Sequence, residues 1–296
     1  MSIILITGSS TGIGFAAAAT LARNGHTVYA TIRNPQRSPQ LQQLADEENL
    51  PIIVLPMDVN VEESVNDAFA FVLSKEGHID VLVNNAGIAS WGAVEELSLD
   101  FFRADMETNY FGAIRCIKAV LPSMRERKAG SIINVTSVAG KLYSNFHSTY
   151  CASKAALEAF SESLAQEVIP FNIKIALVEP EVIETPIFKK ANEIPVGTNY
   201  PNIKRFFAFF AASIENHIPP SVVADVINDI VSGKSKKMRN TAGPTAGGLL
   251  AWRASMPDED WVGSAAIDEA TWAANMEQMG LDVKKHMPAE GTAIHF

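Results

Sequence analysis

Ile3-Ile4-Leu5-Ile6-Thr7-Gly8-Ser9-Ser10-Thr11-Gly12-Ile13-Gly14 stands almost at the start of the chain and decides how the rest is read. Its first four residues form a short, β-branched, wholly apolar run, the pattern of a strand buried on both faces. An alanine-rich segment of helical length follows at 15–23. Between the two, the glycines let the backbone turn sharply and approach a pyrophosphate, which amides at a helix N-terminus can then hold. Gly8, Ser10, Thr11, Gly12, Ile13 and Gly14 are therefore the candidate phosphate cradle. Such a turn can also be only a tight turn, but the strand–turn–helix setting favours the cradle. The spacing is Gly-x-x-x-Gly-x-Gly, not the Gly-x-Gly-x-x-Gly of most dinucleotide dehydrogenases.

Working outward, a second strand is expected at 27–32 and ends at Ile32-Arg33, with Arg37 close behind. Dinucleotide folds place an acidic residue there to bind the adenosine ribose hydroxyls. A guanidinium instead pairs with a 2′-phosphate that a carboxylate would repel, so NADP(H) is favoured and NAD(H) stays possible. The alternative is that Arg33 is simply solvated. A helix at 39–48 leads to a third strand at 52–55, with Asp58-Val59 at the strand end where nucleotides sit in open α/β sheets. A helix at 61–75 and a strand at 80–83 follow, then Asn84-Asn85-Ala86-Gly87. Small residues there admit a cofactor close to the backbone, although the asparagines could equally be turn formers.

The chemistry is carried by Tyr150-Cys151-Ala152-Ser153-Lys154, with Ser137 thirteen residues upstream at the end of a strand expected at 131–136. Residues four apart share a helix face, so Tyr150 and Lys154 can address one small volume. A phenol of pKa about 10 is a poor acid at neutral pH; a nearby ammonium favours its ionised form. A serine hydroxyl aimed at the same point can hold a substrate oxygen while a proton moves. Tyr200 and Lys204 repeat the spacing, but a proline follows Tyr200 and Ile187 stands where Ser137's counterpart would be. Thr136 is the rival hydroxyl and points to the opposite strand face. Tyr143 is the rival phenol, with His147 four residues on instead of a lysine.

Thr7-Gly8-x-x-x-Gly12-x-Gly14, Asn84-Asn85-Ala86-Gly87, Asn109, Ser137 and Tyr150-x-x-x-Lys154 together resemble the motif set of the short-chain dehydrogenase/reductase family, single-domain branch, over roughly the first 190 residues. The resemblance implies a Rossmann-like, doubly wound α/β fold: a mostly parallel seven-stranded sheet with helices on both faces. It also implies NAD(P) across the sheet's C-terminal edge and alcohol–carbonyl interconversion. Asn109 would hold a proton-relay water, and Lys154 would also bind the nicotinamide ribose. In relatives the helices beginning near Tyr110 and Tyr150 pack against a partner subunit, so a homodimer or homotetramer is expected. Pro180, Ile183 and Thr185 match the family's nicotinamide-binding segment, whereas Glu181 replaces its usual glycine and leaves the local backbone angle open.

The resemblance also implies a substrate-covering loop and helices at about 184–218, where Phe188, Tyr200, Phe206, Phe207, Phe209 and Phe210 gather. If these face the cavity the substrate is hydrophobic; Phe206 and Phe210 at helical spacing could instead serve only the core. A catalytic domain is expected over 1–243, with a last strand at 237–242. A helical extension covers 244–296, its Trp252, Trp261 and Trp272 docked on a neighbour or the pocket mouth and its last ten residues frayed.

With 47% hydrophobic and 19% charged residues the chain reads as globular, and a net charge of −9 argues against nucleic acid or anionic membranes as partners. Cys116 and Cys151 are the only cysteines, too few for a disulfide framework or a zinc cluster, so no metal is expected. No basic n-region precedes Ile3 and no run approaches a membrane span, which makes a cytoplasmic location the default. Two rivals to the reductase reading are a non-catalytic nucleotide-binding redox sensor, disfavoured by the complete Ser–Tyr–Lys–Asn set, and a sugar-nucleotide epimerase, disfavoured by its different glycine loop and larger C-terminal domain.

Overall fold

Alternation along the first strand sets up the whole molecule. In the computed structural model, which describes residues 1–190 and 198–289, β1 (Ile3–Ile6) is buried at every position. Successive residues point to opposite faces: Ile4 and Ile6 enter one hydrophobic layer, Ile3 and Leu5 the other. β2 (Thr27–Ile32), β3 (Ile52–Pro56), β4 (Val81–Asn84), β5 (Gly130–Val135), β6 (Ile173–Pro180) and β7 (Arg239–Ala242) complete one sheet. Its order is β3-β2-β1-β4-β5-β6-β7 and every pairing is parallel.

Parallel neighbours need crossovers, and right-handed crossovers put helices on both faces. α1 (Gly12–Arg23), α2 (Gln40–Glu48) and α8 (Ser221–Val231) cover the layer of Ile4 and Ile6 through Leu21, Leu41 and Ile227. α3 (Glu62–Glu76), α5 (Gly112–Arg127) and α6 (Ser148–Val168) cover the other through Phe69, Ile117 and Leu164. The strand order reverses direction between β1 and β4, and such a switch point opens a crevice at the C-terminal ends of the strands. α7 (Ile203–Ile214) flanks that crevice, α4 (Leu99–Met106) packs against α6, and past β7 the chain continues as α9 (Ala246–Ser255), α10 (Asp258–Gly263) and α11 (Glu269–Gln278).

Local details complete the frame. Ser98 occupies the N-cap position of α4, and its side chain makes no capping bond. Residues 109–112 do not simply open α5: Glu107–Phe111 form a π turn between α4 and α5. Such a turn inserts a residue into the hydrogen-bond ladder and is invisible to helical periodicity. Asn84 belongs to β4 and is no turn former; its amide donates to Asn134 Oδ1 at 2.8 Å. Of the loop expected at about 184–218, residues 191–197 lie outside the described residues, as do 290–296 of the expected frayed end.

Candidate active site

The glycine turn is fixed from the next strand over. Thr7 Oγ1 accepts from the amides of Asn85 and Ala86 at 3.0 and 2.9 Å, while Asn85 Nδ2 donates to the carbonyls of Thr7 and Gly8 at 2.9 and 3.2 Å. Gly8 has φ +71°, and a methyl added there would lie 2.7 Å from Ala86 Cα. One on Gly14 would stand 2.5 Å from both Asn85 Nδ2 and the Gly8 carbonyl. Larger residues are excluded at both places by this close approach. Thr11 begins α1 without a side-chain cap, so the first-turn amides face the crevice uncapped by it. Arg33 follows β2, lines the same crevice, and has no carboxylate partner among the described residues. An amide-rich turn, with no room for side chains behind it and a free guanidinium one strand away, fits a phosphorylated dinucleotide.

That crevice opens into a single cleft of about 1510 Å³. Of the candidate site residues, Gly8, Ser10, Thr11, Gly12, Ile13, Arg33, Asp58, Val59, Asn85, Ala86, Gly87, Ser137, Tyr150, Lys154, Pro180, Ile183 and Thr185 all line it. Gly14 and Asn109 stand behind the wall. The Asn109 side chain is fully engaged: its oxygen accepts from the Ile88 amide at 2.8 Å, and its nitrogen donates to the Ile88 carbonyl and Ser153 Oγ at 2.9 Å each. Both of its amide hydrogens are therefore spent, which leaves a relay water the backbone or the second lone pair of Oδ1.

Ser137, Tyr150 and Lys154 converge. Ser137 sits just past β5, its Oγ accepting from the Ala139 amide at 3.1 Å and donating to the Pro180 carbonyl at 3.3 Å. Lys154 Nζ lies 5.6 Å from the centre of the Tyr150 ring and donates to the Val135 carbonyl at 2.8 Å. The expected acidification of the phenol does not appear. Burial pushes Tyr150 well above its ordinary value, a hydrogen bond with Ser137 pulls it back, and the nearby carboxyl of Asp105 pushes it further up. Burial brings Lys154 down to about 8, opposed by the charges of Asp105 and Glu158. The tyrosine is thus held as the neutral acid, the form that gives a proton to a developing alkoxide.

The rival groups are occupied elsewhere. Thr136, expected on the opposite strand face, also lines the cleft, but its Oγ1 is spent on Glu158 Oε1 at 2.6 Å and the Val178 carbonyl at 3.0 Å. Tyr143 is half exposed at the cleft rim. Tyr200 donates to Glu95 at 2.7 Å, and Lys204 pairs with Glu269 at 2.7 Å, so the repeated spacing forms no site. Glu181 does not need glycine's backbone: it is absent from the positive-φ residues, and its carboxylate accepts from the Thr245 amide at 3.0 Å and from the Thr245 hydroxyl.

The opposite end of the cleft is aromatic. Phe206 and Phe210 of α7 pack their rings 4.7 Å apart and both meet Trp91, at 5.5 and 5.7 Å. Both also line the cleft, so core and cavity are served at once. Trp252, Trp261 and Trp272 reach the cleft as well, Trp261 Nε1 donating to the Tyr143 carbonyl at 2.9 Å. Sequence reasoning missed Trp91, His147 and Asp105. Asp105 is fully buried and accepts from the Ser90 amide and hydroxyl at 3.2 and 3.0 Å. No local pattern marks these residues, because their partners are distant in sequence.

A family model described as short chain dehydrogenase matches residues 2–195. The chain belongs to the short-chain dehydrogenase/reductase family. This short-chain dehydrogenase is accordingly an oxidoreductase that interconverts an alcohol and a carbonyl. It is 36% identical over 262 residues to a 3-ketodihydrosphingosine reductase of Bacteroides thetaiotaomicron, covering 86% of this chain and 93% of that one. A solved short-chain dehydrogenase from Streptomyces avermitilis superposes with TM-score 0.75 and 31% identity over 94% of this chain and 99% of the other. An actinorhodin polyketide ketoreductase with NADPH superposes with TM-score 0.72 at 26% identity, over 83% and 97%. Among the described residues of this short-chain dehydrogenase, no group of His, Cys, Asp or Glu could hold a metal and no helix is long and apolar enough to cross a membrane.

Proposed function

We propose that the enzyme is an NADP(H)-dependent oxidoreductase interconverting a hydrophobic ketone or aldehyde and its alcohol. The observation that carries this reading is the convergence of Ser137, Tyr150 and Lys154 where the glycine-lined and aromatic-lined ends of one cleft meet. Bound NADPH would supply hydride to the carbonyl carbon. Amides of Ser10, Thr11, Gly12 and Ile13 would hold its pyrophosphate and Arg33 its 2′-phosphate. Asp58, Val59 and residues 85–87 would flank the nucleoside, and Pro180, Ile183 and Thr185 the nicotinamide. Ser137 Oγ donates to the substrate oxygen, and the neutral Tyr150 gives that oxygen its proton. Lys154 holds the ribose and stabilises the phenolate left behind, while Asn109 anchors the water that returns the proton. The NADPH-bound ketoreductase and the ketosphingosine reductase support the cofactor and the apolar carbonyl substrate.

Residues 1–243 would be the catalytic domain and 244–296 an extension shaping the cleft mouth. A homodimer or homotetramer in the cytoplasm completes the reading. The deciding experiment is NADPH oxidation over a panel of aliphatic, aromatic and steroid ketones. Turnover on an apolar member supports the reading. A thermal shift with NADPH but no turnover on any member favours a nucleotide-binding sensor instead.

A further inference from the structure

Beyond the aromatic wall the cleft carries a positive charge that the mechanism leaves unused. Arg205 stands on α7 beside Phe206, is partly buried, and lines the cleft together with Ile267 and Trp272 from the segment past β7. Its guanidinium carbon lies 5.8 Å from the centre of the Trp272 ring, and its Nη1 donates to the Ile267 carbonyl at 2.8 Å. These contacts hold the group in place, and neither neutralises it. The two acids that follow Ile267 are spent on other partners. Asp268 accepts from the Thr271 amide and hydroxyl at 2.9 and 2.7 Å, and Glu269 pairs with Lys204 at 2.7 Å. Among the described residues Arg205 thus has no carboxylate partner. Its Nε is sealed inside the protein, whereas Nη2 is neither sealed nor hydrogen-bonded among those residues.

Guanidinium groups stay charged in proteins, and withdrawing one from water without a counter-ion is costly. An arriving oxyanion offsets that cost through a charge-assisted hydrogen bond. Rings fill the interval between Arg205 and the reacting centre. Phe206 lies 5.5 Å from His147, and the His147 ring stacks on Tyr150 at 4.7 Å. An anion on Arg205 and a carbonyl at Tyr150 are therefore bridged only by an apolar spacer longer than one ring. We infer that Arg205 binds a carboxylate at the end of the substrate remote from the reacting carbonyl. The substrate is then an amphiphile, with an apolar body between the rings and one negative charge where α7 meets the segment past β7. A monoanion suits the place better than a phosphate dianion, because a single guanidinium faces it and Asp268 and Glu269 follow Ile267 directly. The inference deepens the carbonyl-reductase reading and rests on it for which end of the substrate reacts.

The test compares ketones ending in a carboxylate with their methyl esters at several chain lengths. Wild type with NADPH should favour the acid about tenfold in kcat/KM once the chain is long enough to pass the rings, and not at the shortest lengths. Arg205→Gln, which keeps an N–H for the Ile267 carbonyl, should bring the ratio to about one, and Arg205→Lys should keep part of it. An arginine that only fastens Trp272 and Ile267 would alter acid and ester alike. An unchanged ratio in Arg205→Gln, or a wild-type ratio of one or less at every length, overturns the inference. Titrating the NADPH-loaded enzyme with the matching hydroxy acid and hydroxy ester reads the ratio without turnover. If no ketone is reduced, the reaction reading fails while this binding ratio still decides the role of Arg205. Should Arg205→Gln not fold, the wild-type preference for the acid must fall as salt is raised, and a preference indifferent to salt overturns the inference.

Discussion

At one end of the cleft, Thr7, Gly8 and Asn85 make a cradle from backbone amides and two polar side chains on neighbouring strand ends. At the other end, Trp91, Phe188 and the α7 pair Phe206 and Phe210 come from three segments distant in sequence and meet through ring packing. The first end has almost no freedom, because hydrogen bonds and missing side chains fix a shape that phosphate geometry dictates. The second is held by non-directional contacts that tolerate volume-conserving exchange. Substrate choice can therefore change while cofactor handling stays constant, and Ser137, Tyr150 and Lys154 stand at the joint between the two.

The largest expected effect severs that joint. Tyr150→Phe should lower turnover by about 10²–10⁴-fold, while the thermal shift given by NADPH stays close to wild type. Comparable turnover in the variant would remove the catalytic assignment and with it the meaning of the two ends. Next, Phe210→Ala should cost about 3–5 kcal/mol of stability by opening the aromatic cluster and raise KM for apolar ketones. NADPH affinity should hold, and a parallel loss in calorimetry would show the ends to be mechanically one unit. Conversely, Arg33→Asp should weaken NADPH relative to NADH by roughly 10–100-fold, one charge-assisted contact, with ketone KM little changed.

A smaller effect separates catalysis from folding. Lys154 in the fold titrates near 8, below its ordinary 10.5. Between those pH values the unfolded chain holds more protons than the folded one, so stability rises with pH through the window. Burying the ammonium is a cost below about pH 8 that fades above it. Lys154→Met should thus abolish turnover yet melt a few degrees higher at pH 7, and its advantage should shrink toward pH 10. A gap independent of pH would mean the lysine is not buried as a charge. Smallest of all, Trp261→Ala should cost about 1 kcal/mol of stability, the contact being half-buried against Trp252 and Arg253. It should raise ketone KM a few-fold by freeing Tyr143 at the rim, and an unchanged KM would take the segment past β7 out of the pocket.

Most strands and helices were legible because their signals are local. The continuous apolar run of 3–6 and the glycine turn that follows it act within a few residues. The departures lie where a helix is interrupted, as at the π turn around Asn109, since its cause is packing against Ile88 and Ser153. Cleft-lining positions within motifs were recovered, whereas Trp91, His147 and Asp105 belong to no motif and acquire their roles from distant partners.

Sequence by itself determined the first buried strand, the glycine turn after it, and the pairing of Tyr150 with Lys154 on one helix face, while the parallel sheet was read from the family resemblance. Those features follow from side-chain periodicity and backbone freedom, which neighbours along the chain fully specify. Only the tertiary structure decided which aromatics wall the cleft, how Glu181 is satisfied by Thr245, and that burial holds Tyr150 as the neutral acid. Desolvation and ring packing depend on everything that surrounds a group in space, and that environment is assembled by segments far apart in the chain.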